Sequence, residues 1–164
     1  MLFRSVNAWT TGEQSDPAIA ALTDGRFVVA WASRGQDGSG LGVYGRRYQT
    51  DGKPDGAEFR VNADTTDDQH EPAVATFGDG RFAVAWTGPQ GAVSGVWFRS
   101  FKADGNPDGL DHPVGAAVAG ARHAPSIVAL DEAFLGLTWS ADGMDGSGYG
   151  ILFRRFNEIG RAHV

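Results

Sequence analysis

The chain has no cysteine, which excludes disulfide bridges and zinc sites built on thiolates. No apolar run approaches the ~20 residues of a membrane-spanning helix, and no basic start followed by an apolar stretch marks a signal peptide. Basic residues are outnumbered, with 14 Lys and Arg against 20 Asp and Glu and a net charge of −6. A diffuse acidic balance argues against binding to a phosphate backbone. We therefore expect neither a nucleic-acid partner nor membrane insertion.

The feature that organises the sequence is an internal repeat. Residues 17–31 read PAIAALTDGRFVVAW, residues 72–86 read PAVATFGDGRFAVAW, and residues 125–139 read PSIVALDEAFLGLTW. The distance from proline to tryptophan is 14 residues in each copy, with no gap. A fixed period of this kind decides the architecture before any other feature does.

Each repeat reads as four short strands. The high glycine content, 24 of 164 residues, indicates many tight turns, and Asp24-Gly25 and Asp79-Gly80 predict two-residue hairpins. The segment FVVAW at 27–31 is apolar on both faces, which predicts a strand buried on both sides. A glycine-rich loop, a third strand with a fixed arginine, a second loop and a fourth strand follow.

The repeats predict a single domain over residues 1–164. Repeat 1 covers about residues 16–68, repeat 2 about 69–121, and repeat 3 about 122–164. The third copy stops before its fourth strand, and residues 1–15 complete it. Phe3-Arg4 matches Phe59-Arg60 and Val6-Asn7 matches Val61-Asn62, with one extra residue between the two pairs.

These units predict an all-β fold of four-stranded antiparallel propeller blades, closed by the N-terminal strand. Three blades are fewer than the ~4–8 of typical propellers, so the simplest complete ring is a six-bladed homodimer. A β-trefoil-like monomer also has three four-stranded units and stays an alternative. A further alternative is that the chain is a fragment of a longer tandem array.

Two sets of equivalent residues are candidates for ligand binding. One tryptophan per repeat offers an aromatic face to a sugar, or forms part of the core. One arginine per repeat offers an anion or sugar site, or stacks on neighbouring aromatic rings and pairs with a carboxylate such as Asp24, Asp79 or Glu132. The residues are Trp31, Trp86 and Trp139, and Arg46, Arg99 and Arg154.

The glycine-rich loops are candidates for calcium, because calcium takes six to eight oxygen ligands and these loops carry carboxylates and hydroxyls. The same Asp-Gly and Ser-Gly pairs also simply make turns. The candidate metal ligands are Asp37, Ser39, Asp142, Asp145 and Ser147. No other cofactor is indicated.

Catalytic patterns are missing from the sequence. The histidines have no ligand or triad partner at an informative spacing, and the carboxylates are scattered among turns. The residues therefore favour a non-catalytic chain over an enzyme.

The segments DGRFVVAW, QDGSGLGVYGRRY and DGKPDGAEFRVN resemble the tandem repeats of large bacterial secreted or surface proteins described as RTX-type, or haemolysin-type, calcium-binding. That resemblance implies an extracellular location and a non-catalytic binding or scaffold module of adhesin type, with a glycan or another cell-surface ligand as partner. The alternative is a multivalent propeller lectin with one sugar site per repeat, whose modest sites would gain by avidity.

Overall fold

The computed structural model describes residues 4–115, 120–144 and 146–157. This part of the chain consists of eleven β-strands in three antiparallel sheets. Among these residues no helix has the length and apolar character needed to cross a membrane. The expectation of an all-β chain is confirmed.

Each repeat forms one sheet, and the strands follow one another in chain order. Sheet 1 contains β1 (Gln14–Ala21), β2 (Phe27–Arg34), β3 (Leu41–Tyr48) and β4 (Phe59–Arg60). Sheet 2 contains β5 (His70–Thr76), β6 (Phe82–Gln90), β7 (Val93–Phe101) and β8 (His112–Pro113). Sheet 3 contains β9 (Arg122–Ala129), β10 (Phe134–Asp142) and β11 (Tyr149–Asn157), and no fourth strand among the described residues.

The turn between the first two strands differs from the predicted two-residue hairpin. The N–H of Leu22 donates to the carbonyl of Arg26 at 2.7 Å, so three residues form the turn instead of two. Gly25 occupies it with a φ of 82°, a conformation that favours glycine. The Asp24 carboxylate accepts the N–H of Arg26 at 3.0 Å and thereby holds the turn closed.

The three sheets stack face to face, and their contacts form the core. We call the face that carries Trp31, Trp86 or Trp139 the Trp face of its sheet, and the opposite face the back face. The Trp face of sheet 2 packs on the back face of sheet 1 through Val28, Ala30, Val43, Val61, Phe82, Val84, Trp86 and Phe101. The Trp face of sheet 3 packs on the back face of sheet 2 in the same way, through Phe77, Val96, Phe98, Val114, Leu135, Leu137, Trp139 and Phe156. Burial of these side chains is the main stabilising term of the stack.

The described part of the N-terminal segment, residues 4–7, does not close the ring within this chain. It forms no strand and lies against sheet 1, where Val6 packs with Val29, Trp31 and Tyr48. The hydroxyl of Tyr48 donates to the carbonyl of Val6 at 2.6 Å. Residues 1–3, which belong to the predicted closing strand, lie outside the described residues, as do residues 158–164.

Candidate functional site

The first strand of each sheet carries a bulge near its start. β5 contacts both β1 and β9, so the three first strands lie side by side at one edge of the stack. The pairing of β1 with β2 shifts register between Ser15 and Ala18, and that of β5 with β6 shifts between His70 and Ala73. The bulges thus bring equivalent residues of the three repeats to the same end of the same edge.

The residue at each bulge has an unusual backbone conformation. Asp16, Glu71 and Ala124 have φ values of 51°, 53° and 53°, which non-glycine residues seldom adopt. Each directly precedes the proline of its repeat. Backbone strain of this kind is concentrated at functional sites, and two of the three positions carry a carboxylate.

Glu71 is the most strongly held of these carboxylates. Its Oε2 accepts the hydroxyl of Thr87 at 2.8 Å and the backbone N–H of Ala124 at 2.8 Å. Nδ1 of His70 lies 3.9 Å from the same oxygen. Three neighbours therefore fix the carboxylate at the edge where sheets 2 and 3 meet.

The ionisation of Glu71 follows from these contacts. Burial works to raise the pKa of the Glu71 carboxyl, but the donors from Ala124 and Thr87, with the positive potential of His70 and His123, lower the pKa overall. Hydrogen bonds to the charged form favour that form. Glu71 is therefore an ionised carboxylate at neutral pH, as a general base or nucleophile requires.

Asp16 occupies the equivalent position on sheet 1. Its carboxylate is exposed, and Oδ2 accepts the backbone N–H of Glu71 at 3.4 Å. Asp16 and Glu71 therefore make the same kind of contact: the carboxylate at each bulge accepts the backbone N–H of the bulge residue on the next sheet. Asp16 and Glu71 form a pair of carboxylates on neighbouring first strands.

A cavity of about 480 Å³ opens at the start of β5, and neither Asp16 nor Glu71 is among its lining residues. It lies between the β2–β3 loop, the β4–β5 connection and the β6–β7 turn, and its polar lining includes Ser39, Asp67, Asp68, His70 and Thr87. His70 and Thr87 are also the side-chain neighbours of Glu71, so the cavity adjoins the Glu71 carboxylate. Its volume falls in the range of small-molecule sites.

The predicted tryptophans lie elsewhere. Trp31, Trp86 and Trp139 are all buried on the Trp faces of their sheets. Trp86 and Trp139 pack against the back face of the preceding sheet, and Trp31 packs beside Val6. Their role in ligand binding stays a prediction.

The predicted arginines lie at the outer part of the sheets. Nε of Arg46 donates to the carbonyl of Gly56 at 3.0 Å, and Nε of Arg99 donates to that of Gly109 at 3.1 Å. Arg154 donates from Nη1 to the carbonyl of Val114 at 3.3 Å. Each guanidinium also lies over the aromatic ring two residues further on. The ligand role of these arginines also stays a prediction.

The carboxylate expected beside Arg99 is a different one. Nε of Arg99 lies 3.7 Å from Asp111, whereas Asp79 pairs with Arg81 of its own turn at 2.6 Å. Asp24 pairs with Arg26 in the same way at 2.7 Å. These acids stabilise turns and are not available to the arginines of the third strands.

The glycine-rich loops bring few acids together. Oδ1 of Asp37 accepts the N–H of Ser39 at 3.1 Å, which is an ordinary turn contact. Asp142 ends β10, Ser147 follows in the next loop, and Asp145 lies outside the described residues. Within the described ranges no three His, Cys, Asp or Glu side chains are grouped as a metal site would need. The calcium ligands stay a prediction that no contact supports.

Comparison with solved structures identifies proteins with a similar fold, whereas comparison of the sequence does not. No family model matches the chain, and no curated protein matches its sequence. Solved structures do match. An endo-arabinase from Bacteroides thetaiotaomicron has a TM-score of 0.59 and 9% identity, covering 93% of this chain and 59% of that one. An α-L-arabinofuranosidase from Lactobacillus brevis has a TM-score of 0.58 and 9% identity, and the match covers 92% of this chain and 55% of that one. Zg3597, a family 117 glycoside hydrolase from Zobellia galactanivorans, has a TM-score of 0.61 and 15% identity, and the match covers 98% of this chain and 58% of that one.

These neighbours are propeller-type glycoside hydrolases, so the sheets have a propeller-like arrangement, as the repeats predicted. The chain spans less than two thirds of the length of each of these neighbours. They favour the propeller over the β-trefoil-like alternative.

The same finding corrects three predictions. The resemblance to RTX-type calcium-binding repeats is wrong, because the neighbours are hydrolase propellers and no RTX-like repeat is found. The non-catalytic adhesin-type module and the absence of enzyme activity are overturned by the same hydrolases. The lectin alternative fits no better. Asp16 and Glu71 become neighbours only through the stacking of sheets 1 and 2, so no local motif in the sequence joins them.

A signal for these two residues was present in the sequence. An acidic residue directly precedes the repeat proline in two of the three copies, as Asp16-Pro17 and Glu71-Pro72. A residue before proline is restricted in conformation, so its recurrence marks a special backbone position. The bulge itself leaves no such trace in the sequence.

Proposed function

We propose that this chain forms part of a carbohydrate-active enzyme that hydrolyses glycosidic bonds. The observation that carries the proposal is the pair of carboxylates at Asp16 and Glu71, set in strained bulges on neighbouring first strands. Canonical glycoside hydrolysis uses two carboxylates that flank the scissile bond. The two lie at one edge of the stack, and an open polar cavity adjoins Glu71 through His70 and Thr87.

In this proposal Glu71 is the ionised member of the pair. Because Ala124 and Thr87 hold its Oε2, the carboxylate has a fixed position from which it acts on a water molecule or on the anomeric carbon. Asp16 is the second carboxylate. His70 and Asp68 line the adjoining cavity and offer hydrogen bonds to sugar hydroxyls.

We propose the substrate class from the names of the neighbours. One is named an endo-arabinase and another an α-L-arabinofuranosidase, so arabinose-containing glycans are the first substrates to test. Secretion of the protein fits a polysaccharide substrate and stays a proposal as well.

A panel of polysaccharides and aryl glycosides, with arabinan and aryl α-L-arabinofuranosides included, tests the activity by release of reducing sugar or phenol. We expect Glu71→Gln and Asp16→Asn to lower kcat by about 100-fold or more, as loss of a general acid or base does. Glu132→Gln is the matched control, because Glu132 is an exposed acid in the β9–β10 turn, at the opposite end of β9 from the bulge. Absence of hydrolysis across the panel, or full activity of Glu71→Gln, would contradict the proposal.

We also propose that the complete propeller has six blades, three from each of two copies. The support is that the outer faces of sheets 1 and 3 both stay open, with Ile19 67% and Ile151 74% exposed. A homodimer doubles the number of sheets without a further segment.

A further inference from the structure

The back face of sheet 3 is exposed where the equivalent faces of the other sheets are buried. Ile151 and Phe153 of β11 are 74% and 63% exposed. Val96 and Phe98, at the same places on β7, are 1% and 0% exposed, because sheet 3 covers them. Val128 and Leu130 extend the open face and are each about half exposed. The face has the composition of a sheet-to-sheet interface but no sheet on it.

The Trp face of sheet 1 is open at the other end of the stack. Ile19 is 67% exposed there, whereas Ile127 at the same place on β9 is 9% exposed. Pro17 is exposed, and the equivalent Pro72 and Pro125 are buried. One end of the stack therefore lacks a following sheet, and the other end lacks a preceding one.

The segment Arg4–Asn7 lies where the last strand of a preceding sheet ends. Asn62 follows β4 of sheet 1, and its Nδ2 donates to Oε1 of Gln69 at 2.9 Å and to the carbonyl of Asp64 at 2.7 Å. Asn7 makes the same two contacts, to Oε1 of Gln14 at 3.0 Å and to the carbonyl of Trp9 at 2.6 Å. Asn7 therefore has the position of a residue that ends the fourth strand of a sheet stacked in front of sheet 1.

The third strand of the sheet in front of sheet 1 can be identified from the contacts that the fourth strands make. The N–H of Val61 donates to the carbonyl of Val43, and the N–H of Val114 donates to that of Val96, at 2.8 and 2.9 Å. Val6 is the equivalent of Val61, and Ile151 of β11 is the equivalent of Val43. Among the described residues β11 is the outer strand of a sheet with three strands.

We infer that two copies of this chain exchange their N-terminal segments. The back face of sheet 3 in one copy covers the Trp face of sheet 1 in the other, and the segment ending at Val6 and Asn7 adds the fourth strand to β11 of the partner copy. One second copy thereby covers both open faces and completes the third sheet of each chain. The contact repeats an interface that the chain already contains twice, between sheets 1 and 2 and between sheets 2 and 3.

A polar contact supports the same arrangement. Arg47 lies on the back face of sheet 1 and donates from Nη1 to the carbonyl of Ala103, in the β7–β8 loop of sheet 2. Arg155 is its equivalent on the back face of sheet 3, where its guanidinium lies over the ring of Phe134, 3.6 Å from the centroid. Thr50 is the equivalent of Ala103, so the carbonyl of Thr50 in the second copy is the acceptor that this arrangement offers to Arg155.

The inference deepens the proposed two-copy propeller and bears on its site. Ala124, the bulge residue of sheet 3, would come to lie beside Asp16 of the other copy. The shared edge would then carry two Asp16 and two Glu71 carboxylates. The experiments on the interface need no catalytic readout. A dimer without activity would contradict the proposed hydrolase and leave the exchange intact. A monomer with activity would contradict the exchange and leave the proposed hydrolase intact.

Light scattering of the chain, residues 1–164, tests the association. The exchange predicts a particle with twice the 17.3 kDa of one chain, and a monomer at micromolar concentration overturns it. Phe153→Asp places a charge on the open face without disturbing the core of its own chain, and we expect a folded monomer. Leu110→Asp is the control, because Leu110 is as exposed as Ile151 but lies in the β7–β8 loop, and that variant stays dimeric. A Phe153→Asp variant that stays dimeric also overturns the exchange.

A cysteine pair tests which strands meet. Tyr44 faces Arg60 across β3 and β4. Because Val6 is the equivalent of Val61, Ser5 directly before it should face Leu152 of the other copy. Opposed residues of antiparallel strands lie within the Cα separation that a disulfide spans, and the chain has no cysteine of its own. The double variant S5C and L152C should give a covalent dimer on a non-reducing gel, whereas each single variant should not. A disulfide within one chain, or a dimer that does not cross-link, would contradict the exchange.

Discussion

The carboxylate of Glu71 accepts the backbone N–H of Ala124 at 2.8 Å, so one side chain links sheet 2 to sheet 3 at the edge where the candidate site lies. This contact gives Glu71 a structural role beside the proposed catalytic one. Loss of activity in a Glu71 variant is therefore informative only if the fold of the variant is measured too.

Two substitutions at Glu71 separate these roles. Glu71→Gln keeps an oxygen that accepts from Ala124 and Thr87 and loses only the charge, so we expect a smaller loss in the free energy of unfolding than for Glu71→Ala. Glu71→Ala removes the acceptor from both donors and should cost about 1–2 kcal/mol. Urea unfolding followed by circular dichroism measures both. Equal destabilisation by the two variants would show that the charge, and not the acceptor, holds the sheets together.

The stability of the chain should depend on pH through the same group. Burial opposes ionisation of Glu71, but the donors and histidines around it lower its pKa overall. A lowered pKa in the folded state stabilises the fold above the unfolded pKa of about 4.3, and that contribution is lost as pH falls through the folded pKa. The free energy of unfolding of the wild type should therefore fall on acidification below about pH 4.5. It should fall less in Glu71→Gln, and equal slopes for the two proteins would contradict this assignment.

Asn62 should contribute more to stability than its equivalent Asn7. Oδ1 of Asn62 accepts the buried N–H of Val43 at 2.7 Å, and Asn62→Ala would leave that donor without a partner. We expect a cost of about 1–3 kcal/mol. Asn7→Ala is the matched control when both variants are made in the Phe153→Asp background, which we expect to be monomeric, because Asn7 of a single chain makes the same contact to a glutamine but accepts from the hydroxyl of Ser5 instead of a buried N–H. Thermal unfolding of both variants checks the difference, and a larger loss in Asn7→Ala would be inconsistent with it.

Trp86 should be a core residue, because it is buried between sheets 1 and 2. Trp86→Ala should cost about 3–5 kcal/mol, as truncation of a large buried side chain does. Trp9→Ala is the control, since Trp9 is exposed and exposed substitutions stay within about 0.5 kcal/mol. Urea denaturation gives both values. A Trp86→Ala variant of unchanged stability would refute the core assignment.

The repeats allowed the sheets to be predicted from the sequence. The fixed distance from proline to tryptophan sets the length of the first two strands, and two-sided apolar runs such as 27–31 require a sheet on each face. The turns were predicted less well, because Asp-Gly also suits the three-residue turn that forms at Asp24-Gly25. Local residues determine that a turn forms, whereas the pairing of the flanking strands determines its length.

The candidate site could not be predicted in the same way. Asp16 and Glu71 lie 55 positions apart and are joined by the stacking of sheets 1 and 2. Their positive φ values arise from bulges that no local pattern marks. The equivalent tryptophans and arginines attracted attention because they recur in all three copies, but recurrence in every copy is also what a core position shows. The carboxylates recur in only two copies, and that asymmetry is typical of a site.

A crystal structure of the Glu71→Gln variant with an arabino-oligosaccharide tests the central claim most directly. The account predicts a sugar at the edge of the first strands, with the residue 71 side chain facing an anomeric carbon or a water molecule beside it, and with the glycosidic oxygen within hydrogen-bond distance of Asp16. Sugar hydroxyls should lie against His70 and Asp68. Sugar density confined to Arg46, Arg99 and Arg154 or to the glycine-rich loops would contradict it. A fully occupied sugar far from both Asp16 and residue 71 would do the same.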